Sequence, residues 1–313
     1  MHIDLYLVLG SAVIGLLVGL TGMGGGALMT PMLVLLFGVT PSTAIASDLM
    51  AALFMKPAGV AVHWRRRTVN TDVVKFLCLG SVPAAFAGTF VLHVIGQSSR
   101  AEHTLQILLG TALIIGSLAI LFRSIFIEAT VHGAAHIQVR RLPTVGIGVI
   151  GGFMVGLTSV GAGSLILVLL VMVYPKLRND HLVGTDLAQS MPLTLSATLG
   201  ALTFGHVNFS LTTSMIIGSV PMVVVGSLLS SRSNGYLLRR IITGVVLLSG
   251  LKYVGVSTTD LGIVAVVIAA AITAITLRHW RRAQRATPND DSSVTEPVED
   301  VVALLPTRLH GHF

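Results

Sequence analysis

Long apolar stretches separated by short polar segments run along most of the chain. Two of them, 5–37 and 144–173, are interrupted midway by glycines, in Gly22-Met-Gly-Gly-Gly26 and Ser159-Val-Gly-Ala-Gly163. Each predicts either one long broken helix or a re-entrant hairpin, whose legs are short for a full span at about 1.5 Å per residue. Other stretches are long enough to cross a bilayer, which takes about 20 residues. These seven are residues 44–62, 73–95, 104–122, 182–204, 211–230, 237–253 and 261–277.

The two halves of the chain repeat one another. Gly15-Leu-Leu-Val-Gly-Leu-Thr21 returns as Gly152-Phe-Met-Val-Gly-Leu-Thr158, an offset of 137 residues. After one inserted residue, further segments return at an offset of 138. They are Asp48-Leu49 as Asp186-Leu187, Val69-Asn70 as Val207-Asn208, and Gly80-Ser-Val-Pro83 as Gly218-Ser-Val-Pro221. Two related halves of a hydrophobic chain are the usual sequence sign of a transporter.

The composition indicates a membrane protein. Of the 313 residues, 53% are hydrophobic and 11% are charged, whereas a soluble fold carries about 25% charged residues. The mean hydropathy is +0.86, so most of the exterior must face lipid. The net charge of +7 does not indicate nucleic acid, because the basic residues form short clusters between apolar stretches. Cys78 is the only cysteine, and we predict no disulfide, no metal site and no cofactor.

Basic residues predict the orientation in the membrane, since cytoplasmic loops carry an excess of Lys and Arg. If each glycine-broken stretch crosses once, the basic residues divide between the two sides. If both stretches are re-entrant and the amino terminus lies outside, fifteen basic residues become cytoplasmic and only Arg100 and Lys252 face outward. The fifteen are Arg65, Arg66, Arg67, Arg123, Arg140, Arg141, Lys176, Arg178, Arg232, Arg239, Arg240, Arg278, Arg281, Arg282 and Arg285. The second arrangement predicts inverted halves and a cytoplasmic carboxy terminus.

We therefore predict an all-α polytopic protein of the plasma or inner cell membrane, built from two inverted repeats with eight to nine hydrophobic segments. About seven are full transmembrane helices, and each repeat begins with a glycine-broken re-entrant hairpin, giving two hairpins. The predicted parts are a first transmembrane repeat (1–122), a cytoplasmic connecting loop (123–141), a second transmembrane repeat (142–255), an extra carboxy-terminal transmembrane helix (256–279) and a disordered cytoplasmic tail (280–313).

The glycine breaks are the first candidate for a binding site. Backbone without helical hydrogen bonds is tolerated at membrane depth only where protein buries it or where it lines a wet cavity. A helix that restarts after a break directs unpaired N–H groups and the positive end of its dipole at mid-membrane, which suits an anion. The candidate substrate-binding residues are Thr21, Gly22, Gly24, Gly25, Gly26, Thr158, Ser159, Gly161 and Gly163. The other interpretation is that small residues simply let helices pack closely.

Two acidic residues at matched positions are the second candidate. Asp48 and Asp186 lie within predicted spans, where a carboxylate costs about 2.5–3.5 kcal/mol on insertion scales and is a functional hypothesis by default. Ser47 and Thr185 precede them and could share a coupling ion. Because each aspartate is only a few residues into its span, a position near the headgroups or at a helix cap stays open.

Lys56 is the only basic residue midway along a predicted span. It either binds an anion directly or neutralises one of the aspartates, and we favour neutralisation because an uncompensated buried carboxylate is costly. Its counterpart at the 138 offset is Thr194, which predicts an asymmetric site. Gln189, one turn after Asp186, joins the candidate substrate-binding residues.

At these residues the chain resembles the TauE/SafE family of sulfite exporter-like membrane transporters, in particular its members with Gly-Thr-Asp. The matching segments include Gly19-Leu-Thr-Gly-Met-Gly-Gly-Gly26, Gly156-Leu-Thr-Ser-Val-Gly-Ala-Gly163 and Gly184-Thr-Asp-Leu187. The first half has Ala46-Ser47-Asp48 where Gly-Thr-Asp is expected. The resemblance covers about residues 10–255 and implies transport of a small sulfur-containing anion.

The leading hypothesis is a secondary transporter for sulfite, thiosulfate or an organosulfonate, coupled to protons through Asp48 or Asp186. A passive anion channel and a membrane assembly or scaffold protein without a transported substrate remain alternatives. An enzyme is not expected, because the sequence shows neither a nucleophile–base pair nor a His-Glu-x-x-His motif. The expected partners are a small anionic substrate and the lipid bilayer, not nucleic acid, and the sequence leaves a homo-oligomer open.

Overall fold

The computed structural model describes residues 4–21, 25–65, 68–96, 99–127, 138–161, 163–204, 207–229 and 235–285. Over these residues the chain forms eleven α-helices, which confirms the all-α prediction. The helices are α1 Leu5–Thr21, α2 Gly26–Phe37, α3 Pro41–Arg65, α4 Thr71–Gly96, α5 Ser99–Ile127, α6 Arg141–Thr158, α7 Leu165–Val173, α8 Asn179–Phe204, α9 Phe209–Leu229, α10 Gly235–Tyr253 and α11 Thr258–Arg285. Of the described residues, those up to Ala269 form a first compact unit, and those from Ala270 to Arg285 belong to a second one.

Four helices of the described part are long and apolar enough to cross a membrane. They are α4, α6, α9 and the portion His103–Leu121 of α5. α1, α2 and the portion Thr258–Ala270 of α11 are apolar but shorter. The predicted spans overlap α3, α4, α5, α8, α9, α10 and α11. Helices therefore form where the apolar pattern predicts them, and how many of them cross the membrane stays a prediction.

Each glycine break reverses the chain, so α1 with α2 and α6 with α7 form hairpins. In the first hairpin, a Cβ atom on Gly10 would lie 2.9 Å from Met32 Sδ and 3.8 Å from a ring carbon of Phe37. In the second, the backbone N–H of Arg140 donates a 2.9 Å hydrogen bond to the hydroxyl of Tyr174. One continuous helix would separate Gly10 from Phe37 by about 40 Å at 1.5 Å per residue. The interpretation as one long broken helix is therefore wrong for both stretches.

The repeated glycines pack helices of opposite halves against each other. A Cβ atom on Gly15 of α1 would lie 2.5 Å from the carbonyl oxygen of Ser219 in α9, and one on Gly152 of α6 would lie 2.4 Å from that of Ser81 in α4. Gly152 and Ser219 are the repeat counterparts of Gly15 and Ser81, so the two contacts are reciprocal. Backbones approach this closely only where a side chain is absent. These two glycines, which lie outside the breaks, therefore serve close helix packing.

α3 and α8 carry the candidate aspartates, pack against each other and run antiparallel. Leu49, in the first half of α3, accepts a 3.0 Å hydrogen bond from the hydroxyl of Thr198, in the second half of α8. Lys56, further along α3, contacts Ser190 and Thr194, which come earlier in α8. The side chains of both helices that face this contact therefore lie in the interior of the first unit.

Some predicted features extend outside the described residues. They include Gly22 and Gly24 of the first break, residues 128–137 of the connecting loop and residues 286–313 of the tail. α11 is helical as far as Arg285, beyond the predicted end of the last transmembrane helix at residue 279. The glycine-break site can accordingly be described from Gly25 onwards in the first half.

Candidate functional site

The two glycine breaks meet inside the first unit. A Cβ atom on Gly26 would lie 1.9 Å from the carbonyl oxygen of Ser159, so the start of α2 touches the end of α6. Together they enclose a cavity of about 20 Å³, which is room for about one water molecule. Its lining residues are Gly25, Gly26, Ala27, Leu49, Ala52, Lys56, Ile120, Val155, Ser159, Gly161, Gly163 and Ser164. The cavity is too small for a larger anion in this structure, so such an anion can enter only after these elements move apart.

The first break presents a helix start to this central cavity. α2 begins at Gly26, and the amides of Leu28 and Met29 donate hydrogen bonds of 3.0 and 2.9 Å to the carbonyl of Gly25. The amides of Gly26 and Ala27 precede these bonds, and both residues line the cavity. Because the first N–H groups of a helix have no partner within it and the helix dipole is positive there, this end of α2 suits an anion.

The second break is built differently. Ser159, Gly161 and Gly163 have φ angles of 58°, 126° and 88°, and a side chain at either glycine would strain the backbone. The carbonyl of Gly161 accepts hydrogen bonds from the amides of residues 164–166, at 3.3, 3.0 and 3.3 Å. The first amides of α7 are therefore occupied, and the two breaks are not equivalent as anion sites.

Thr21 and Thr158 end the helices that lead into the two breaks. Each hydroxyl donates a 2.7 Å hydrogen bond to the carbonyl four residues earlier, on Leu17 and Met154 respectively. The Thr158 hydroxyl also accepts a 3.2 Å bond from the amide of Val160. Both threonines thus position the backbone at the helix ends, and a direct contact with an anion stays a prediction.

Asp48 is fully buried within α3. Its Oδ2 atom accepts a 2.7 Å hydrogen bond from the hydroxyl of Thr30 in α2, and the Ser159 side chain faces the same carboxyl group. Asp48 Oδ1 and Ser159 Oγ have no hydrogen-bond partner among the described residues. Because α3 begins at Pro41 and Asp48 is 0% exposed, this carboxyl group faces protein and does not cap a helix.

Ser47 and Thr185 bind the backbone of the opposite half. Ser47 Oγ accepts a 3.2 Å hydrogen bond from the backbone N–H of Asn208, and Thr185 Oγ1 accepts a 3.0 Å bond from that of Asn70. The side chains of Asn70 and Asn208 in turn accept hydrogen bonds from backbone N–H groups in the first turns of α4 and α9. The two hydroxyls are therefore reciprocal anchors for helix starts, and their sharing of a coupling ion stays a prediction. The sequence pattern predicted no role for Asn70 or Asn208, although their recurrence at the 138 offset was the available signal.

Lys56 lies against its own repeat counterpart. Its ammonium group donates hydrogen bonds to the hydroxyl of Thr194 and, at 3.4 Å, to the carbonyl of Ser190. Asp186 and Asp48 both lie close enough to this ammonium group to act on it electrostatically. Asp186 lies within α8 and is 2% exposed. The structure therefore brings the predicted cation and the two predicted carboxyl groups into one buried region beside the central cavity.

Gln189 joins α8 to α4. Its Nε2 atom donates a 2.6 Å hydrogen bond to Ser81 Oγ, and both residues are 0% exposed. Its Oε1 atom has no hydrogen-bond partner within the described part of the chain. Ser81 is also the residue whose carbonyl faces Gly152. Gln189 therefore links α8 to the close packing of α4 with α6, and its contact with a substrate stays a prediction.

Similarity to known proteins extends over most of the chain. The family described as sulfite exporter TauE/SafE matches residues 7–253. The probable membrane transporter protein YjnA of Bacillus subtilis (strain 168) is 36% identical over 246 residues, which cover 77% of this chain and 96% of that protein. A probable membrane transporter protein of Xylella fastidiosa (strain Temecula1 / ATCC 700964) is 27% identical over 248 residues, which cover 77% and 90%. No solved structure gives a significant match. The family match covers both hairpins, the central cavity and the helices that pack around it. The chain therefore belongs to the TauE/SafE family of multi-pass membrane transporters.

Proposed function

We propose that the protein is a secondary transporter of a small sulfur-containing anion, such as sulfite, thiosulfate or an organosulfonate, coupled to protons. The observation that carries the proposal is the cavity shared by the helix start at Gly26 and by Lys56. A helix start and a cation on one small cavity attract negative charge strongly, because the surrounding dielectric constant is low. The family description, sulfite exporter, supports sulfur oxyanions as the substrate class.

Lys56 is proposed to bind the anion directly. In this structure its ammonium group donates hydrogen bonds to two neutral oxygens, on Ser190 and Thr194. An arriving anion would replace these neutral acceptors by a charged one, and hydrogen bonds between charged groups are roughly twice as strong as neutral ones. Direct binding is therefore preferred to the purely neutralising role that the sequence favoured.

Asp48 and Asp186 are proposed to carry the coupling protons. A carboxyl group buried away from water must be protonated or compensated by a cation, and these two are 0% and 2% exposed. Both act on Lys56, so an anion that binds this lysine changes the charge balance at both carboxyl groups. Uptake of one proton together with a monovalent anion leaves the net charge of the buried region unchanged.

Alternating access is proposed to follow from two inverted repeats. α3 and α8 occupy equivalent places in the two halves, and their antiparallel pairing through Leu49 with Thr198 and Lys56 with Thr194 supports an axis that lies in the membrane plane. With the amino terminus outside and both hairpins re-entrant, the basic clusters lie on the cytoplasmic side of the inner membrane. Movement of one hairpin relative to the other would widen the small cavity and open it to each side in turn.

Flux into proteoliposomes tests this proposal. Vesicles that contain the purified protein are supplied with sulfite, thiosulfate or an organosulfonate, and anion flux is followed with and without an imposed pH gradient. A proton-coupled transporter accumulates the anion against its concentration gradient when the pH gradient is present. Downhill flux that ignores the pH gradient would instead identify a passive channel, and no flux of any of these anions would favour a scaffold role.

Substitution of the aspartates tests the coupling step. Asp186→Asn and Asp48→Asn should each abolish pH-driven accumulation while the protein remains folded in the membrane. Asp72→Asn is the matched control, because Asp72 is an exposed carboxylate that pairs with Lys75 at 3.1 Å. Unchanged pH-dependent transport in both site variants would remove carboxylate coupling from the mechanism.

A further inference from the structure

A second, larger pocket lies at the open end of the α6–α7 hairpin. Its volume is about 340 Å³, whereas the central cavity between the glycine breaks measures about 20 Å³. Its lining residues are Gln138, Val139, Arg140, Val173, Tyr174, Pro175 and Lys176. Since α6 has 18 residues, its length of about 27 Å at 1.5 Å per residue separates this pocket from the glycine break at its other end. The pocket is therefore distinct from the proposed transport site.

The charge of this hairpin pocket comes from two exposed cations, Arg140 and Lys176. Nearby basic residues are already engaged elsewhere. Arg178 donates hydrogen bonds of 2.7 and 2.5 Å to Asp180, which hold the pKa of that carboxyl group below its usual value. The Arg141 guanidinium lies 5.6 Å from the centre of the Phe76 ring. Arg140 and Lys176 are thus the basic side chains of the pocket lining, and none of the described lining residues is acidic.

One part of the hairpin pocket is apolar, and hydrogen bonds hold a tyrosine in it. The Tyr174 hydroxyl accepts the backbone N–H of Arg140 at 2.9 Å and shares a hydrogen bond with the Thr144 hydroxyl, so the tyrosine ring is fixed between the two legs. Val139 and Val173 are half-buried beside it. Two cations and several apolar side chains on one pocket match a molecule with an anionic head and an apolar body.

The position of the hairpin pocket indicates which kind of molecule with an anionic head can reach it. Arg141 begins α6, one of the helices that are long and apolar enough to cross a membrane, so the pocket lies at one end of a candidate span. Phosphate headgroups of anionic lipids are found at this depth, and basic pockets at the ends of membrane helices bind them. We infer that the hairpin pocket binds the phosphate headgroup of an anionic phospholipid, with Arg140 and Lys176 as its ligands.

Lipid binding to the purified full-length protein tests the inference. Native mass spectrometry would compare binding of phosphatidylglycerol and phosphatidylcholine to the wild type and to Arg140→Gln/Lys176→Gln. We expect the wild type to prefer phosphatidylglycerol, and the double variant to lose about 10- to 30-fold in affinity for it. Arg140 donates a hydrogen bond to Tyr174 from its backbone N–H, and Arg140→Gln keeps this backbone group. The matched control is Lys75→Gln/Lys252→Gln, which removes two exposed cations elsewhere and should keep the preference.

Competition by free anions identifies the source of the bound phosphate. Inorganic phosphate and sulfite, at the concentration at which phosphatidylglycerol saturates the pocket, should not displace the lipid from the wild type. Displacement by either ion would overturn the lipid assignment in favour of a free anion. Equal binding of the two lipids by the wild type would also overturn it, and this comparison needs no variant to fold. A preference that survives in Arg140→Gln/Lys176→Gln would show that these residues are not the ligands.

Discussion

Lys56 donates a hydrogen bond to Thr194, the residue that occupies its own position in the second half of the chain. If a two-fold axis relates the two halves, as proposed, equivalent residues can touch only at that axis. A lysine in both halves would place two ammonium groups in contact at this point, and their repulsion would destabilise the fold. The departure from symmetry thus leaves one cation beside the central cavity, which suits a site for one small anion.

Removal of the Thr194 hydroxyl should destabilise the protein. Thr194→Val deprives a charged donor of an acceptor, which costs about 1.5–3 kcal/mol. The measurement is the thermal unfolding midpoint of the purified protein in detergent. Thr203→Val serves as the control on the same helix, because Thr203 is exposed and its hydroxyl bonds only to the local carbonyl of Leu199. Equal midpoints for the two variants would contradict the importance of the contact between Lys56 and Thr194.

The motif glycines should be intolerant of side chains where they pack helices. Gly152→Val places a side chain against the Ser81 carbonyl, which a Cβ atom would approach to 2.4 Å. A backbone contact this short should destabilise the fold by more than the usual overpacking cost of about 1–3 kcal/mol. We therefore expect loss of monodisperse protein in size-exclusion chromatography. Gly146→Val lies on the same helix with nothing within 4 Å of the new Cβ atom, and it should elute like the wild type. A well-behaved Gly152→Val protein would refute the close packing of α4 with α6.

The anchors formed by Ser47 and Thr185 should contribute to stability. Ser47→Ala and Thr185→Val each leave a backbone N–H, on Asn208 or Asn70, without its hydroxyl acceptor. An unsatisfied group of this kind costs about 1–3 kcal/mol, which a fall in the thermal unfolding midpoint would report. Ser249→Ala removes only a local bond to the carbonyl of Val245 and should leave the midpoint nearly unchanged. If all three variants behave alike, the anchors have no special role.

The apolar pattern predicted the helices because a chain in lipid must satisfy its backbone groups within helices. The repeat also identified Gly15 and Gly152, since close helix packing imposes the same requirement on both halves. It could not reveal the bond from Thr30 to Asp48, because the residue 137 positions after Thr30 is the apolar Leu167. The contact of Gly26 with Ser159 could not be predicted either, because it results from how the two hairpins pack and not from any local periodicity.

Cysteine accessibility tests the inverted arrangement of the repeats. Thr71 and Phe209 are repeat counterparts at the 138 offset, and both are exposed. In a background that carries Cys78→Ala, Thr71→Cys should react with a membrane-impermeant reagent only from the cytoplasm, because α4 starts there in the proposed topology. Phe209→Cys should react only from outside. Labelling of both cysteines from the same side would rule out inverted repeats.

Anion affinity of the purified protein is the most direct test of the central claim that Lys56 and the α2 helix start form the anion site. Binding of sulfite, thiosulfate and an organosulfonate would be measured by calorimetry for the wild type, Lys56→Met and the control Lys75→Met, whose lysine is exposed and paired with Asp72. At least one anion should bind the wild type and Lys75→Met equally, and Lys56→Met at least about tenfold more weakly, because a hydrogen bond from a charged group contributes about 1.5–3 kcal/mol. Equal affinity of the wild type and Lys56→Met for every anion that binds would contradict the account.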